Sequence, residues 1–416
     1  MSEDKNGLRI LHTSDWHLGR SLYGKKRYEA FEAFLNWLSE TVEQQDIDVL
    51  LAAGDIFDTG TPSNRAQEMY YRFLCRTAAS SCRHAVVIAG NHDSPTFLDA
   101  PKALLETLHV HVIGGASENA ADEVLVLRNR NDVPELIVCA VPYLRDRDVR
   151  SAEAGESIEE KDRKMVDGIR AHYASVAEEA QKKRAALGVE IPIVAMGHLF
   201  AAGGRTVEGD GVRELYVGSL AHVSAEIFPS CFSYTALGHL HVPQKVGGLE
   251  TVRYSGSPLP MGFGEANQKK SLCRVDIPKD AATVTTLEIP TFQKLTRIAG
   301  DWGEISMALS ALKEADTGAW LEIVYEGDEV LGDLRERVAA AIADTRIEVL
   351  RIKNRRMSDR ALDRTDETET LAELDVNDVF TRCLDAYGIP DADRPELISA
   401  YQTVLSSLDE EDTRAE

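Results

Sequence analysis

The sequence predicts an α/β protein that carries a smaller α+β domain and helices near its C-terminal end. Over about the first 280 of its 416 residues, short apolar runs alternate with helical patterns, which is typical of a layered α/β domain. The pattern then changes to strand, helix, strand, helix, strand, and two amphipathic segments follow. We predict a first domain over 1–280, an α+β domain over 285–355, a polar linker over 356–370, C-terminal helices over 371–408 and an acidic tail over 409–416.

The elements of the first domain follow from hydrophobic periodicity. Apolar runs of four or five residues predict strands buried on both faces. They cover 8–11, 49–53, 86–89, 193–196 and 234–237. Longer segments with a helical period predict helices at 27–44, 64–80, 95–108 and 158–187.

The smaller domain and the C-terminal segments are predicted in the same way. Helices are predicted at 302–314 and 333–341, with strands at 319–325 and 347–353. The two C-terminal segments repeat apolar residues at helical spacing. These residues are Val376, Phe380, Leu384 and Tyr387, and then Leu397, Ile398, Tyr401, Leu405 and Leu408.

Composition limits the function classes. The formal net charge is −23, but 16 acidic residues and only 4 arginines fall within 361–416, so about half of the excess lies there. Net charge therefore neither supports nor excludes a DNA partner. No apolar stretch approaches the roughly 20 residues that span a bilayer, and the N-terminus has no apolar signal core, so we expect a cytoplasmic protein without a membrane segment. The six cysteines form no C-x-x-C pair, which indicates reduced thiols.

Potential metal ligands follow each of the five buried strands. Asp15 and His17 come after the first, and a glycine directly precedes the candidate ligand after each of the other four. These candidates are Asp55, Asn91, His198 and His239, with His241 two residues further on. Ligand sites in open α/β sheets lie beyond the carboxyl ends of the strands, so we expect these side chains to meet there.

The types of donor indicate which metals such a site would bind. Asp15 and His17 are two residues apart, as are His239 and His241, and such pairs project to one side of an extended segment. Carboxylate, imidazole and amide donors without thiolate suit Mn²⁺, Fe or Zn²⁺ better than Ca²⁺ or a structural zinc. Six histidines fall outside the pattern and are interpreted as structural: His12, His84, His109, His111, His172 and His222.

The order D-x-H, GD, GNHD, GH, GHxH resembles that of the calcineurin-like metallophosphoesterases, which implies a β-sandwich flanked by helices. Within that superfamily the chain resembles the SbcD family, the nuclease subunits of bacterial SbcCD complexes. The strings that carry the resemblance are LHTSDWHLG (11–19), GDIFDTG (54–60), GNHDS (90–94), ALGHLH (236–241) and YSGSPL (254–259).

The resemblance implies a role for each candidate. Asp15, His17 and His241 would bind the first of two Mn²⁺ ions, for which Mg²⁺, Fe or Zn²⁺ could substitute. Asn91, His198 and His239 would bind the second ion, and Asp55 would bridge both. His92 would be a catalytic residue that binds no metal. Asp93 could orient His92 or cap a turn, and Asp58 is left unassigned.

The resemblance also implies an activity and partners. It implies a Mn²⁺-dependent 3′→5′ DNA exonuclease and hairpin or single-strand endonuclease, acting as a homodimer with an SbcC-like SMC-type ATPase in DNA repair, recombination and replication. The 285–355 domain would cap the cleft. Its basic segment 351–356 would contact DNA, or would be a solvated strand end. The C-terminal helices would dock on the ATPase or fold back on their own domain. No G-x-x-x-x-G-K-[ST] motif is present, so ATP hydrolysis would belong to the partner.

Two other functions are also compatible with the sequence. The same metal scaffold could serve a phosphatase or a cyclic-nucleotide phosphodiesterase, because a fold does not fix a substrate. A non-enzymatic tethering subunit would carry a decayed site, and the presence of every expected ligand argues against it.

Overall fold

The structure is a computed structural model of the chain. It describes residues 7–150, 156–201, 224–278, 282–315, 317–329 and 331–354, together with 380, 381, 384, 394, 395, 397, 398 and 401. The chain divides into two compact units between Thr296 and Arg297. In the described ranges, no helix is long and apolar enough to cross a membrane.

Seventeen strands and eight α-helices make up the described parts of the two units. The strands are β1 (Leu8–Thr13), β2 (Ser21–Leu22), β3 (Lys25–Lys26), β4 (Val49–Ala53), β5 (His84–Ile88), β6 (Val110–Ile113), β7 (Val124–Arg128), β8 (Pro134–Ala140), β9 (Ile193–His198), β10 (Phe232–Gly238), β11 (Gln244–Val246), β12 (Leu249–Tyr254), β13 (Ser271–Ile277), β14 (Thr283–Glu288), β15 (Leu295–Gly300), β16 (Trp320–Tyr325) and β17 (Glu348–Asn354). The helices are α1 (Tyr28–Gln44), α2 (Asn64–Ala78), α3 (Pro95–Asp99), α4 (Lys102–Glu106), α5 (Asp146–Val149), α6 (Ile158–Leu187), α7 (Trp302–Glu314) and α8 (Leu334–Ala341).

The first unit contains a sandwich of two six-stranded mixed sheets. One sheet has the order β14-β13-β1-β4-β5-β6 and the other β11-β12-β10-β9-β8-β7. A shared apolar core joins them, in which Ile10 and Val86 of the first sheet belong to the same cluster as Val138 and Met196 of the second. The opposite faces pack against helices, α1 and α2 on the first sheet and α6 on the second. The predicted layered α/β fold, a β-sandwich flanked by helices, is confirmed.

Local sequence explains where two of the helical segments begin and end. Helix α6 has the predicted bounds because Ser157 and Glu160 form a capping box at its start and Gly188 adopts a left-handed conformation (φ 65°) at its end. The predicted 95–108 helix is instead two short helices, α3 and α4, with Pro101 between them. Proline has no N–H to continue the hydrogen bonds of α3, so the chain turns there.

The second unit contains a three-stranded sheet of order β15-β16-β17 with helices α7 and α8. Its core includes Ile305, Leu321, Ile323 and Val338. Strand β14 pairs with β13, so the first sheet extends past residue 280. The predicted linker and acidic tail lie outside the described residues, as do most of the C-terminal helices. In the described part, Phe380 and Tyr401 stack with ring centroids 3.9 Å apart.

Candidate metal centre

The candidate ligands lie in the loops that follow β1, β4, β5, β9 and β10. Strands β1, β4 and β5 are parallel neighbours in one sheet, and β9 and β10 are parallel neighbours in the other. Their carboxyl ends therefore share an edge within each sheet. The Nδ1 atom of His198, at the end of β9, lies 2.9 Å from the carbonyl oxygen of Ala53, at the end of β4, so the edges of the two sheets meet.

Four of the candidate ligands have a left-handed backbone conformation that is uncommon outside glycine. The φ angles are 53° at Asp15, 47° at His17, 49° at Asp55 and 105° at His239. Hydrogen bonds between loops hold this backbone, for example from Asp15 N to Gly54 O (3.0 Å) and from His17 N to Asp55 O (2.9 Å). Such strain persists only where the surrounding structure imposes it, and it concentrates at functional sites.

Two of the strand-end glycines allow the loops to approach each other closely. A Cβ on Gly90 would lie 2.2 Å from Oδ1 of Asp55, and a Cβ on Gly54 would lie 2.3 Å from Nδ1 of His198. Any side chain at these positions would displace a candidate ligand. The glycines before the ligands are therefore a packing requirement of the centre.

The first group of ligands consists of Asp15, His17 and His241, whose ligand atoms all lie within 4.8 Å of one another. The Nε2 atoms of His17 and His241 are 3.1 Å apart. Asp15 is held by hydrogen bonds from Ser14 Oγ (2.6 Å) and His239 N (2.8 Å). All three ligand side chains are buried.

The second group consists of Asp55, His198 and His239, again with ligand atoms within 4.8 Å of one another. Asn91 joins this group, because its Oδ1 atom lies 3.0 Å from His198 Nε2 and 2.9 Å from His239 Nδ1. The carbonyl of Ala53 can only accept, so Nδ1 of His198 carries the proton of that contact. The Nε2 of His198 faces two acceptors, Oδ1 of Asn91 and Oδ2 of Asp55, so a cation that binds at Nε2 takes the place of a proton there.

Asp55 lies between the two groups. Its Oδ2 atom is 3.6 Å from His17 Nε2 and 3.3 Å from His198 Nε2, so one carboxylate oxygen faces a ligand of each group. The other oxygen, Oδ1, accepts a hydrogen bond from His92 N (2.9 Å). Asp55 is therefore a candidate ligand that lies next to both groups.

His92 is half-buried, as Asn91 is, and a nitrogen of its ring lies within 4.8 Å of ligand atoms of His17 and Asp55. Its Nδ1 atom lies 2.8 Å from the carbonyl oxygen of Asp58, to which it donates, and its ring meets that of His17 edge-on at 4.8 Å. Asp93 instead accepts backbone N–H groups of Ile56 (3.1 Å), Phe57 (2.9 Å) and Gly90 (2.9 Å). Asp93 therefore joins the loop after β4 to the loop after β5. Among the described residues, the hydrogen-bond partner of the His92 ring is the carbonyl oxygen of Asp58.

Known proteins with similar sequences agree with a metal centre formed by these loops. Residues 8–243 match the family model for calcineurin-like phosphoesterase, and residues 291–387 match SbcD_C, described as the type 5 capsule protein repressor C-terminal domain. The SbcD subunit of the SbcCD nuclease of Escherichia coli K12 is 34% identical over 404 residues, which cover 96% of this chain and 98% of that protein. The chain belongs to the SbcD family of calcineurin-like phosphoesterases.

Two further SbcD relatives with the same name match less of the chain. The protein from Rhodobacter capsulatus is 35% identical over 281 residues, covering 66% of this chain and 68% of that protein. The protein from Bacillus subtilis is 33% identical over 321 residues, covering 76% and 78%. A calcineurin-like phosphoesterase has a divalent metal site, and the groups of ligands described above are the candidates for it.

The electrostatics of the centre differ from one candidate ligand to the next. Burial lowers the pKa of His17 to about 4 and that of His239 to about 3, so both rings are neutral at pH 7 and offer lone pairs. Burial alone would lower the pKa of His198 as well, but the charge of Asp55 raises it to about 9. Burial would raise the pKa of Asp55, but the neighbouring histidines hold it well below its usual value. A buried carboxylate among imidazoles is a donor set that a divalent ion fits.

Sequence analysis did not identify the groups behind the ligands. Asp58, which it left unassigned, lies with Oδ1 3.4 Å from Nδ1 of His17 and 3.3 Å from Nη1 of Arg20. Glu265 and Lys270 form a buried ion pair beside His241. Gly264 precedes Glu265, but no strand ends there, so the pattern that found the ligands could not find it.

Proposed function

We propose that this chain is the nuclease subunit of an SbcCD-like complex and hydrolyses DNA phosphodiester bonds with two Mn²⁺ ions. The observation that carries the proposal is the position of Asp55, whose Oδ2 faces His17 of one ligand group and His198 of the other. Mg²⁺, Fe or Zn²⁺ would be substitutes. The relatives of similar length, which are named as nuclease subunits, support DNA as the substrate.

The candidate residues have different roles in the proposed reaction. When bound, a pair of divalent ions would lower the pKa of a bound water and neutralise charge on the phosphoryl oxygens. Asp15, His17 and His241 would hold one ion, Asn91, His198 and His239 the other, and Asp55 both. His92, half-buried and fixed through Nδ1 by Asp58, leaves Nε2 to protonate the departing 3′-oxygen or to stabilise the phosphate.

The second unit offers a surface for the DNA backbone. Arg297, Arg351 and Lys353 surround the buried carboxylate of Glu322, at 3.1, 3.6 and 3.4 Å. Glu322 offsets part of their charge and fixes the side chains in a group. We propose that this basic group contacts DNA phosphates, which Lys and Arg bind without regard to sequence.

A nuclease assay across metals tests the proposal. We expect the pure chain with Mn²⁺ to cut linear double-stranded, single-stranded and hairpin DNA, and to lose this activity on chelation and regain it with Mn²⁺. The matched substrates are p-nitrophenyl phosphate and a cyclic nucleotide, compared at equal enzyme. Hydrolysis of these small esters without DNA cutting would contradict the proposal and would favour the phosphatase or cyclic-nucleotide phosphodiesterase function.

We also propose an SbcC-like SMC-type ATPase as the partner, with the chain as a homodimer in the cytoplasm. The name of the relatives supports a complex of two kinds of subunit. The C-terminal amphipathic segments, which fall largely outside the described residues, are the proposed docking element, because apolar helix faces bind in grooves of partner proteins.

Removal of residues 361–416 tests the docking element. The shortened chain keeps every candidate ligand, so we expect it to retain Mn²⁺-dependent cutting of single-stranded DNA. We expect it to lose co-purification with the ATPase, measured with the two chains expressed together. Retained co-purification would place the ATPase contact elsewhere and would favour helices that fold back on their own domain.

A further inference from the structure

A buried ion pair lies directly behind the candidate ligand His241. Glu265 and Lys270 are 0% and 5% exposed. The Nζ atom of Lys270 contacts Oε2 of Glu265 and also donates to His241 O (3.0 Å) and Ser257 Oγ (3.1 Å). The N–H of Met261 donates to the same Oε2 atom (3.0 Å). One oxygen of Glu265 is therefore fully engaged by donors.

The other oxygen of Glu265 faces the imidazole. Oε1 lies 3.6 Å from Nδ1 of His241, and it has no hydrogen bond within the described part of the chain. A buried carboxylate oxygen without a donor is costly, and buried polar atoms almost always have a partner. A small closure of this gap would give Oε1 the Nδ1–H of His241.

The opposite nitrogen of His241 faces the ligand group. Its Nε2 lies 3.1 Å from Nε2 of His17. A neutral imidazole has one N–H and one lone pair, so a proton held on Nδ1 leaves the lone pair on Nε2, the atom that would face an ion. Metal-binding histidines usually donate their second N–H to a carboxylate or carbonyl in this way.

Two of the other three histidine ligands, His198 and His17, have comparable partners. His198 donates from Nδ1 to Ala53 O at 2.9 Å, and Nδ1 of His17 lies 3.4 Å from Oδ1 of Asp58. Asp58 is the looser support, because its side chain is 26% exposed and is shared with Arg20. Glu265 is fully buried and is itself held by Lys270, so of these two carboxylates it is the more firmly held.

We propose that Glu265 is a positioning residue for the first metal site, which keeps the proton of His241 on Nδ1 and its Nε2 lone pair directed at the ion. Lys270 holds Glu265 in place through the other oxygen. This inference rests on the proposed two-metal function, and its test is a measurement of metal binding and of the His241 proton, both independent of nuclease activity.

The variant Glu265→Gln tests it. The Gln oxygen would stay with the donors Lys270 and Met261, so its NH₂ group would face Nδ1 of His241. Two donors cannot share that contact, and the imidazole must move its proton to Nε2 and lose its lone pair toward the ion. With the full chain and Mn²⁺ alone, we expect wild type to bind two ions. We expect Glu265→Gln to bind one of them about 10–100-fold more weakly and the other unchanged.

The ¹⁵N NMR shifts of His241 in the metal-free protein provide the second readout. Wild type should show the proton on Nδ1, and Glu265→Gln should show it on Nε2. The matched control is Glu123→Gln, because Glu123 is also fully buried and its carboxylate lies 2.8 Å from the ring of His172 in α6. This control should bind both ions as wild type does.

A second variant separates positioning from charge balance. The double variant Glu265→Gln with Lys270→Met removes both charges of the ion pair. It therefore also tests the proposal if Glu265→Gln alone does not fold. We expect the same loss of one ion, and recovery of both ions would overturn the proposal by showing that Glu265 only neutralises Lys270. Equal binding of two ions by wild type and Glu265→Gln would overturn it too. A wild type that binds fewer than two ions would contradict the proposed function itself.

Discussion

Asp55→Ala is expected to abolish binding of both ions and with it all metal-dependent hydrolysis. Its Oδ2 faces His17 at 3.6 Å and His198 at 3.3 Å, so its loss removes the one carboxylate common to both ligand groups. Two cations held close together repel each other, and a carboxylate that contacts both offsets part of that repulsion. We expect activity to fall by more than about 10³-fold, beyond the 10²–10³-fold cost of losing one stabilising group in an active site.

The measurement is the number of Mn²⁺ ions bound per chain, with DNA cutting assayed in parallel. The matched control is Asp48→Ala, because Asp48 directly precedes β4 and Asp55 lies beyond its other end. Asp48 is 2% exposed and binds Arg83 Nη1 at 2.6 Å, so its removal should lower the melting temperature while two ions still bind. A single ion retained by Asp55→Ala would show that Asp55 serves one site only.

The candidate ligands could be found from sequence because each follows a short apolar strand. A strand, a glycine and a polar residue are neighbours in the chain, so the pattern that places Asp55 after 49–53 or His198 after 193–196 is local. The rule that parallel strands share an edge then predicts that these loops meet. The structure does bring all seven candidate ligands and His92 together.

Groups that act through a ligand could not be found in this way. Glu265 and His241 are 24 positions apart, and their contact exists only once the chain segment after β12 has packed beneath the β10 loop. The contact between Asp58 and His17 could not be predicted either. It depends on the left-handed backbone at His17, which the residue types do not indicate. The break between α3 and α4 at Pro101 is a local feature of the sequence. The helical spacing of the apolar residues nevertheless favoured one continuous helix over 95–108.

His92→Ala is expected to stop DNA cutting while leaving both ions bound. His92 contributes its backbone N–H to Asp55 Oδ1 and its ring Nδ1 to Asp58 O, so the alanine variant keeps the first contact and loses only the ring. Loss of a positioned acid typically costs 10²–10⁴-fold in rate, and we expect a fall in that range with unchanged Mn²⁺ stoichiometry. Loss of ions from His92→Ala would mean that His92 is a ligand.

His92→Asn separates the two possible roles of the ring. The Asn amide can still donate to Asp58 O, but it has no counterpart of Nε2, so we expect it to be as inactive as His92→Ala. Recovery of cutting by His92→Asn would show that the ring only holds the Asp58 loop. An ester whose leaving group departs without a proton, bis(p-nitrophenyl) phosphate, identifies the chemistry. If Nε2 protonates the 3′-oxygen, hydrolysis of this ester falls far less than DNA cutting, whereas equal losses would assign His92 to stabilising the phosphate.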